Sequence, residues 1–275
     1  VINGVVQSAP MPGPRMAVLP AFTGHVIGQI GNLDAPLLSE LARVRTRASP
    51  IGREAIASVL GTLGTKSTHP EMALPLLIEL AKDREPIVRT RAYLSLARLK
   101  VPDEPVLAIL APACLSETDP ATIDAVTTSL LERGESNRTI STALKQFCER
   151  KEVDPQVRLR AAEYLWRNEG QTNLYLRALG DLVANGKDGK WAALEALATF
   201  APEFGEVVPL IARGLEDPKP FIRSKAAMTL GQLGAVARPA TPALARALDD
   251  GEENVRYTAQ EALERIKAPM EAAKP

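Results

Sequence analysis

The stretch PFIRSKAAMTLGQLG, residues 220–234, decides the fold, because its pattern returns 33 residues later as NVRYTAQEALERI, residues 254–266. Each copy has an apolar residue followed by Arg, then Ala four places after the apolar residue and Leu eight places after it. The same pattern occurs as PIVRTRAYLSLARL at residues 86–99 and as PQVRLRAAEYLW at residues 155–166. The chain therefore carries an internal repeat with the motif V/I-R-x-x-A-x-x-x-L-x-x-L.

Three weaker copies bring the number of repeats to seven. We call the first residue of each motif the anchor and number the other positions from it. The anchors are Gly52, Val88, Ile123, Val157, Gly189, Ile222 and Val255. Successive anchors are 36, 35, 34, 32, 33 and 33 residues apart. Such a regular period predicts an array of similar structural units. A fainter copy at residues 25–31 predicts a half repeat ahead of the first unit.

The motif predicts one helix in each repeat. Positions 0, +4, +8 and +11 fall on one face of an α-helix, so their apolar residues form a stripe. In the second repeat the stripe consists of Val88, Ala92, Leu96 and Leu99. Asp–Pro pairs at Asp119, Asp154 and Asp217 precede three anchors and are typical of helix starts. We therefore place the motif on the second helix of a helix pair.

The segments between these second helices are predicted to form the first helices of the pairs. Several of them contain a proline, at Pro75, Pro112, Pro209 and Pro242. A proline inside a helix removes one backbone donor and bends the helix axis. The sequence thus predicts bent first helices.

The units resemble HEAT repeats, in particular the short bacterial type also found in phycobilin lyase subunits. The pattern D-P-x-x-x-V-R-x-x-A-x-x-A-L-G of that type is nearly reproduced by residues 217–231. The resemblance implies an all-α, armadillo-like fold, a right-handed superhelical solenoid of about seven helical hairpins over residues 34–267. Residues 1–33 are expected to form an N-terminal arm and possible half repeat, and residues 268–275 a C-terminal tail. Residues 1–19, with three prolines, are expected either to lie extended on the first hairpins or to link them to another domain.

The resemblance also implies a function. HEAT solenoids usually bind another protein or an extended peptide on their concave face, so we expect a non-catalytic scaffold or adaptor. The alternative is a subunit of a HEAT-type enzyme, either chromophore lyase-like or DNA glycosylase-like. HEAT-like iron hydroxylases carry paired His-Glu motifs in several repeats, and their absence here excludes that class.

The amino-acid composition limits the classes of partner and the cellular compartments that are expected for this chain. Lys plus Arg and Asp plus Glu number 33 each, so no global positive field favours nucleic acid. No apolar run approaches the ~18 residues of a membrane span, which predicts a soluble chain. Two cysteines, Cys114 and Cys148, favour a reducing, cytoplasmic compartment and are predicted to be free thiols.

The residues that could carry out chemistry are sparse. His25 and His69 lie in different repeats without acidic or cysteine residues at metal-ligand spacing. No nucleophile motif, phosphate-binding loop or dinucleotide fingerprint is present. The sequence therefore predicts no enzyme activity, metal or cofactor.

Charged residues recur at matching positions of the repeats. Arginines at position +1 are Arg53, Arg89, Arg158, Arg223 and Arg256, and the acidic residues near the anchors are Asp83, Asp154, Asp217 and Asp250. One interpretation is a basic strip that binds phosphate. We favour an Asp–Arg ladder between successive units, which such residues resemble in HEAT repeats.

Positions +3, +7 and +10 are predicted to face the concave surface. The candidate partner-binding residues at these positions are Arg91, Arg98, Arg160, Tyr164, Arg167 and Lys225. They predict a mildly basic groove for an acidic peptide, unless they are ordinary solvated side chains. Trp191 follows a flexible turn at residues 186–190 and is a candidate anchor for a partner, whereas Trp166 is predicted to pack between helix pairs.

Overall fold

The computed structural model describes residues 33–133 and 137–267, and within them the regular structure is entirely helical. In chain order the helices begin with α1 (Ala35–Arg45), α2 (Pro50–Lys66), α3 (Leu74–Leu80), α4 (Pro86–Arg98), α5 (Asp103–Ser116), α6 (Pro120–Glu132) and α7 (Arg138–Cys148). They are followed by α8 (Pro155–Glu169), α9 (Thr172–Asn185), α10 (Lys190–Phe200), α11 (Val208–Ala212), α12 (Pro220–Gln232), α13 (Thr241–Ala247) and α14 (Glu253–Lys267). The odd-numbered helices are the first helices of the pairs and the even-numbered helices are the second. The predicted all-α class, built from repeated helix pairs, is confirmed. The predicted N-terminal arm, apart from Leu33, and the C-terminal tail lie outside the described residues.

The chain divides into two compact units, Val1–Phe147 and Cys148–Pro275. In the first unit the second helices form a row, in which α2 packs against α4 and α4 against α6. In the second unit α10 packs against α12, and α12 against α14, in the same way. The first helices α3, α5, α11 and α13 each pack against the second helix that follows them. Each second helix in the middle of a row therefore touches its own first helix and two other second helices.

The cores of both units are built from the predicted stripe. Val88, Ala92 and Leu96 are fully buried, and the core of the second unit includes Ala226 and Leu230 at the same positions of their repeat. Burial of such aliphatic side chains is the main stabilising contribution to a helix that is too short to be stable alone. The motif positions 0, +4 and +8 are core positions in most of the repeats, as predicted, with Gly189 at position 0 an exposed exception.

The first helices differ from the prediction at their prolines. Pro75, Pro209 and Pro242 lie in the first turn of α3, α11 and α13, whereas only Pro112 lies inside its helix. A 3-10 helix precedes each of the three short helices, at Pro70–Ala73, Gly205–Val207 and Gly234–Ala240. Proline is tolerated in the first turn because its missing N–H has no partner there. These first helices are therefore divided in two, not bent as predicted.

Neighbouring second helices approach closely at small residues. A Cβ atom added at Gly231 of α12 would lie 2.8 Å from the Cα atom of Ala262 in α14. A Cβ atom at Gly61 of α2 would lie 2.7 Å from the Cβ atom of Ser95 in α4. Both glycines occupy position +9, and both neighbours occupy position +7 of the next repeat. The row of second helices therefore depends on a small residue at +9 at these two contacts.

Candidate partner-binding site

A ladder of ion pairs links successive repeats within each unit. Arg53 contacts Asp83 through two hydrogen bonds of 2.6 and 2.8 Å, and Arg89 contacts Glu117 at 2.7 and 2.9 Å. In the second unit Arg223 contacts Asp250 through two bonds of 2.7 Å. Two-pronged arginine–carboxylate pairs of this kind are strong and geometrically specific.

The ladder differs from the sequence prediction in its members. Asp154 was predicted to belong to it, but its carboxylate accepts a hydrogen bond from the backbone N–H of Gln156 and caps α8. Arg158 instead pairs with Asp181 on α9, and Asp217 pairs with Lys190. Lys190 could have been recognised, because it occupies position +1 of the fifth repeat.

The same basic side chains also bind the loop that precedes their own helix. Arg53 donates to the carbonyl oxygen of Ala48, Arg89 to that of Asp83, and Arg223 to that of Asp217. Arg256, in the last repeat, makes the equivalent bond to the carbonyl oxygen of Asp250. Most of the donors of these guanidinium groups are therefore used inside the protein.

The ladder holds its carboxylates in the charged form. Hydrogen bonds from Arg53 lower the pKa of Asp83, and those from Arg223 lower the pKa of Asp250. Burial alone would raise the pKa of Glu117, but the hydrogen bonds from Arg89 and Tyr93 outweigh it, so that this pKa is also lowered.

We expect the ladder to make the protein sensitive to acid. A carboxyl whose pKa is lower in the folded state stabilises the fold above its unfolded pKa, about 3.9 for Asp, and this stabilisation is lost as the pH falls through the folded pKa. Asp250→Asn should therefore be less stable than the wild type near neutral pH and lose less stability in acid. Urea unfolding between about pH 6 and pH 3 tests this. Identical pH profiles for the two proteins would contradict it.

The positions predicted to face a partner lie elsewhere than expected. At position +3, Arg91 pairs with Glu54 of the preceding second helix, and Lys225 pairs with Glu195 at 2.7 Å. At position +7, Ser95 is buried and donates to the carbonyl oxygen of Ala57. Positions +3 and +7 thus contact the neighbouring second helix, and the charges of Arg91 and Lys225, which were predicted to line a basic groove, are paired within the protein.

The remaining predicted arginines and Tyr164 are distributed over two helices, α4 and α8. Arg98 is exposed at the end of α4, and Arg167 is exposed on α8 and pairs with Glu163. Arg160 and Tyr164 are half-buried on α8. Trp166 packs as predicted, because its ring stacks on that of Tyr175 with 4.8 Å between the centroids.

The exposed face of the second helices α10, α12 and α14 is formed by positions −1, +2, +6 and +10, none of which is buried there. In the second unit this face carries three large aromatic side chains, at Trp191 on α10, Phe221 on α12 and Tyr257 on α14. They are 44%, 54% and 61% exposed, respectively. Exposed aromatic residues grouped in this way are typical of binding surfaces.

The three aromatic residues line one groove of about 460 Å³. We call it the aromatic groove; its other lining residues are Pro220, Ser224, Lys225, Met228, Glu252, Asn254 and Thr258. The groove crosses the N-terminal halves of α10, α12 and α14. The structure therefore brings together two of the predicted residues, Trp191 and Lys225.

A small network fixes the indole of Trp191. The ammonium group of Lys225 lies 4.2 Å from the centroid of the indole ring, and the indole N–H donates to Glu195 at 2.9 Å. The hydrogen bonds from Lys225 and Trp191 lower the pKa of the Glu195 carboxyl. Because Lys225 is almost buried and its charge is balanced by Glu195, this part of the groove wall carries little net charge.

A comparison with protein families identifies the class of repeat. The family model described as HEAT repeats matches residues 35–131 and 176–264, which is more than half of the chain. The chain belongs to the HEAT repeat family. No curated protein matches it.

Several solved structures resemble this HEAT repeat chain at low identity. An engineered protein matches with a TM-score of 0.38 and 16% identity over 84% of this chain and 68% of that chain. Human deoxyhypusine hydroxylase in complex with glycerol matches with a TM-score of 0.33 and 24% identity over 96% and 95%. A homology model of the full-length AP-3 complex matches with a TM-score of 0.46 and 11% identity over 90% and 51%. The family assignment rests on the family model and not on these structures.

The HEAT repeats show few other functional features in the part of the chain that the structure describes. No cluster of His, Cys, Asp and Glu residues there could hold a metal ion, and His69 pairs with Glu71. None of the helices described is both long and apolar enough to cross a membrane. Cys114 is buried and Cys148 is half-buried.

Sequence reasoning missed Phe221 and Tyr257. Phe221 occupies position −1 and Tyr257 position +2, and neither position was assigned to the partner. A signal was present, because Trp191 also occupies position +2 and all three aromatic residues lie outside the apolar stripe. Large aromatic residues off the stripe of a HEAT helix could therefore have identified the groove.

Proposed function

We propose that this chain is a protein-binding scaffold and that the aromatic groove holds an extended segment of its partner. The observation that supports this is the exposure of Trp191, Phe221 and Tyr257 in one groove. Leaving three such side chains in water forgoes the hydrophobic stabilisation that covering them would provide. Aromatic anchors of this kind contribute most of the binding energy in protein interfaces.

The chemistry of the groove favours an apolar or aromatic ligand over an acidic one. Lys225 is the single basic residue of its lining, and its charge is met by Glu195. Glu252 contributes a carboxylate to the lining. An acidic peptide would therefore gain little in this groove. The other arginines predicted to bind an acidic peptide, Arg91, Arg98, Arg160 and Arg167, lie on α4 and α8.

Peptide selection tests the proposal without a known partner. We expect a displayed library of random peptides, selected on the full chain, to yield sequences rich in apolar residues. Tyr257→Ser combined with Phe221→Ser should weaken their binding at least about tenfold, because anchor truncation costs more than ~1.4 kcal/mol. Fluorescence anisotropy of labelled peptides measures the affinity.

The matched control is Ile87→Ser. Ile87 is exposed to a similar degree and occupies the same position on α4 of the first unit as Phe221 does on α12. Both kinds of variant change exposed residues, so each should fold with nearly unchanged stability. The proposal fails if no peptide is enriched, or if the enriched peptides bind the double variant as well as they bind the wild type.

A further inference from the structure

The surface around the aromatic groove is acidic. Three carboxylates occupy exposed positions of the fifth and the last repeat, and a fourth lines the groove just before α14; they are Asp188, Glu195, Glu261 and Glu252. None of these four residues is buried. Arg265 is the single basic residue at positions −1, +2, +6 and +10 of the three repeats that contain α10, α12 and α14. The aromatic rings therefore lie among carboxylates on a face that carries few positive charges.

Most of these carboxylates are not neutralised by the chain itself. Lys225 pairs with Glu195, but no basic side chain forms an ion pair with Asp188, Glu252 or Glu261 in the part of the chain that the structure describes. The basic residues at position +1 of α10 and α12 are held by the ladder. The exposed lysines of the loops before α10 and α12 do not line the groove; they are Lys187 and Lys219. A ligand that supplies a positive charge is therefore favoured here.

An arginine side chain matches both the rings and the carboxylates. Its guanidinium group is planar, so it stacks on an aromatic ring and also donates two parallel hydrogen bonds to a carboxylate. Tyr257, 61% exposed, and Glu252 line the groove together at the start of α14. A cation already lies over an aromatic ring in this groove, because the ammonium group of Lys225 is 4.2 Å from the centroid of Trp191.

We propose that the aromatic groove binds an arginine in an extended segment of a partner protein, with its guanidinium group stacked on Tyr257 and paired with Glu252. Apolar residues next to this arginine cover Phe221 and Met228, which also line the groove. Every residue of the site belongs to the second unit. This inference rests on the proposed function and specifies the chemistry of the partner.

The peptides selected from the random library on the full chain are the probes. We expect them to contain an arginine beside apolar residues. Replacing this arginine by citrulline, which keeps the planar group but removes its charge, should weaken binding about fivefold to tenfold. Lysine should weaken binding less, because it keeps the charge and loses only the planar, two-pronged geometry. Binding that is unchanged by citrulline would overturn the inference.

Salt dependence provides an independent readout of the charge. Fluorescence anisotropy is measured at about 0.05 M and about 0.5 M sodium chloride, because salt screens exposed charges over a shorter distance at the higher concentration. The difference in affinity between the arginine and the citrulline peptide should shrink at high salt. A difference that is the same at both concentrations would contradict an electrostatic origin and the proposed pairing.

Glu252→Gln in the full chain tests the partner of the arginine. It should weaken the arginine peptide about threefold to fivefold and leave the citrulline peptide unchanged, because only the arginine loses a charged partner. The matched control is Glu264→Gln, since Glu264 is exposed on α14 and lies outside the groove lining. Equal effects of the two substitutions on the arginine peptide would also overturn the inference.

The outcomes separate the two proposals. If the library peptides require Tyr257 and Phe221 but contain no arginine, or bind Glu252→Gln as well as the wild type, this inference is wrong and the proposed function stands. If no enriched peptide depends on Tyr257 and Phe221, the proposed function is wrong and this inference fails with it.

Discussion

Asp217→Ala is expected to lower the free energy of unfolding by about 3–5 kcal/mol. The carboxylate of Asp217 is buried, with 2% of its side chain exposed, and it pairs with Lys190, whose side chain is 9% exposed. Without Asp217, the ammonium group of Lys190 stays in a nearly buried position with one long contact, 3.4 Å, to the carbonyl oxygen of Ala184. An unpaired buried charge is among the most destabilising changes in a folded protein. Urea denaturation followed by circular dichroism measures the effect.

Two further variants show whether the unpaired charge causes the loss. Lys190→Met in the Asp217→Ala background should restore much of the stability, because an apolar side chain of similar length needs no counter-ion. A remaining deficit is expected, since Asp217 also accepts a hydrogen bond from the backbone N–H of Lys219. Glu40→Ala, which removes an exposed pair with Arg43, should leave stability unchanged. A loss for Asp217→Ala no larger than that for Glu40→Ala would contradict the prediction.

Gly231→Val is expected to destabilise the second unit by about 2–3 kcal/mol. Replacing a glycine inside a helix by alanine normally stabilises the helix by about 0.5–1 kcal/mol, and by valine somewhat less, so the expected sign is reversed here. The reason is contact with backbone, because a Cβ atom at Gly231 would lie 2.8 Å from the Cα atom of Ala262. Only a shift of α12 away from α14 relieves such a contact. Thermal unfolding compared with that of the wild type measures the loss.

The control for Gly231→Val is a glycine with open space around it. A Cβ atom at Gly251 would have no neighbour within 4 Å, so Gly251→Val should change stability by less than about 0.5 kcal/mol. Because α12 and α14 both line the aromatic groove, Gly231→Val should also weaken the peptides selected on the wild type. A stabilised Gly231→Val protein would show that the two helices can separate without cost.

The sequence predicted the second helices well and the first helices less well. The second helices contain a dense apolar period, and anchors such as Val88 and Ile222 lie near the start of helices α4 and α12. The first helices α3, α11 and α13 are shorter than predicted, because proline lies in their first turn and a 3-10 helix precedes each of them. The position of a proline in the sequence does not by itself show whether the proline bends a helix or lies at the start of that helix.

In the ladder of ion pairs, the sequence likewise predicted some members and missed others. Position +1 was recognised as basic from the repeat alone, and Asp83 and Asp250 were named among its acids. The partners Glu117 and Asp181 lie 28 and 23 residues beyond Arg89 and Arg158, and their spacing from the next anchor varies. Their pairing depends on how two consecutive repeats are placed, which a local pattern does not specify.

The sequence by itself determined the all-α class, the number of helix pairs, the core positions and the basic position +1, because each of these depends on a period within one repeat. Only the tertiary structure decided which surface a partner can reach. A second helix contacts other second helices through positions +3 and +7, which Lys225 and Ser95 occupy. These contacts cannot be recognised from the apolar stripe, because they lie outside it. That packing turns positions −1 and +2 outward and so assembles Trp191, Phe221 and Tyr257 in one groove.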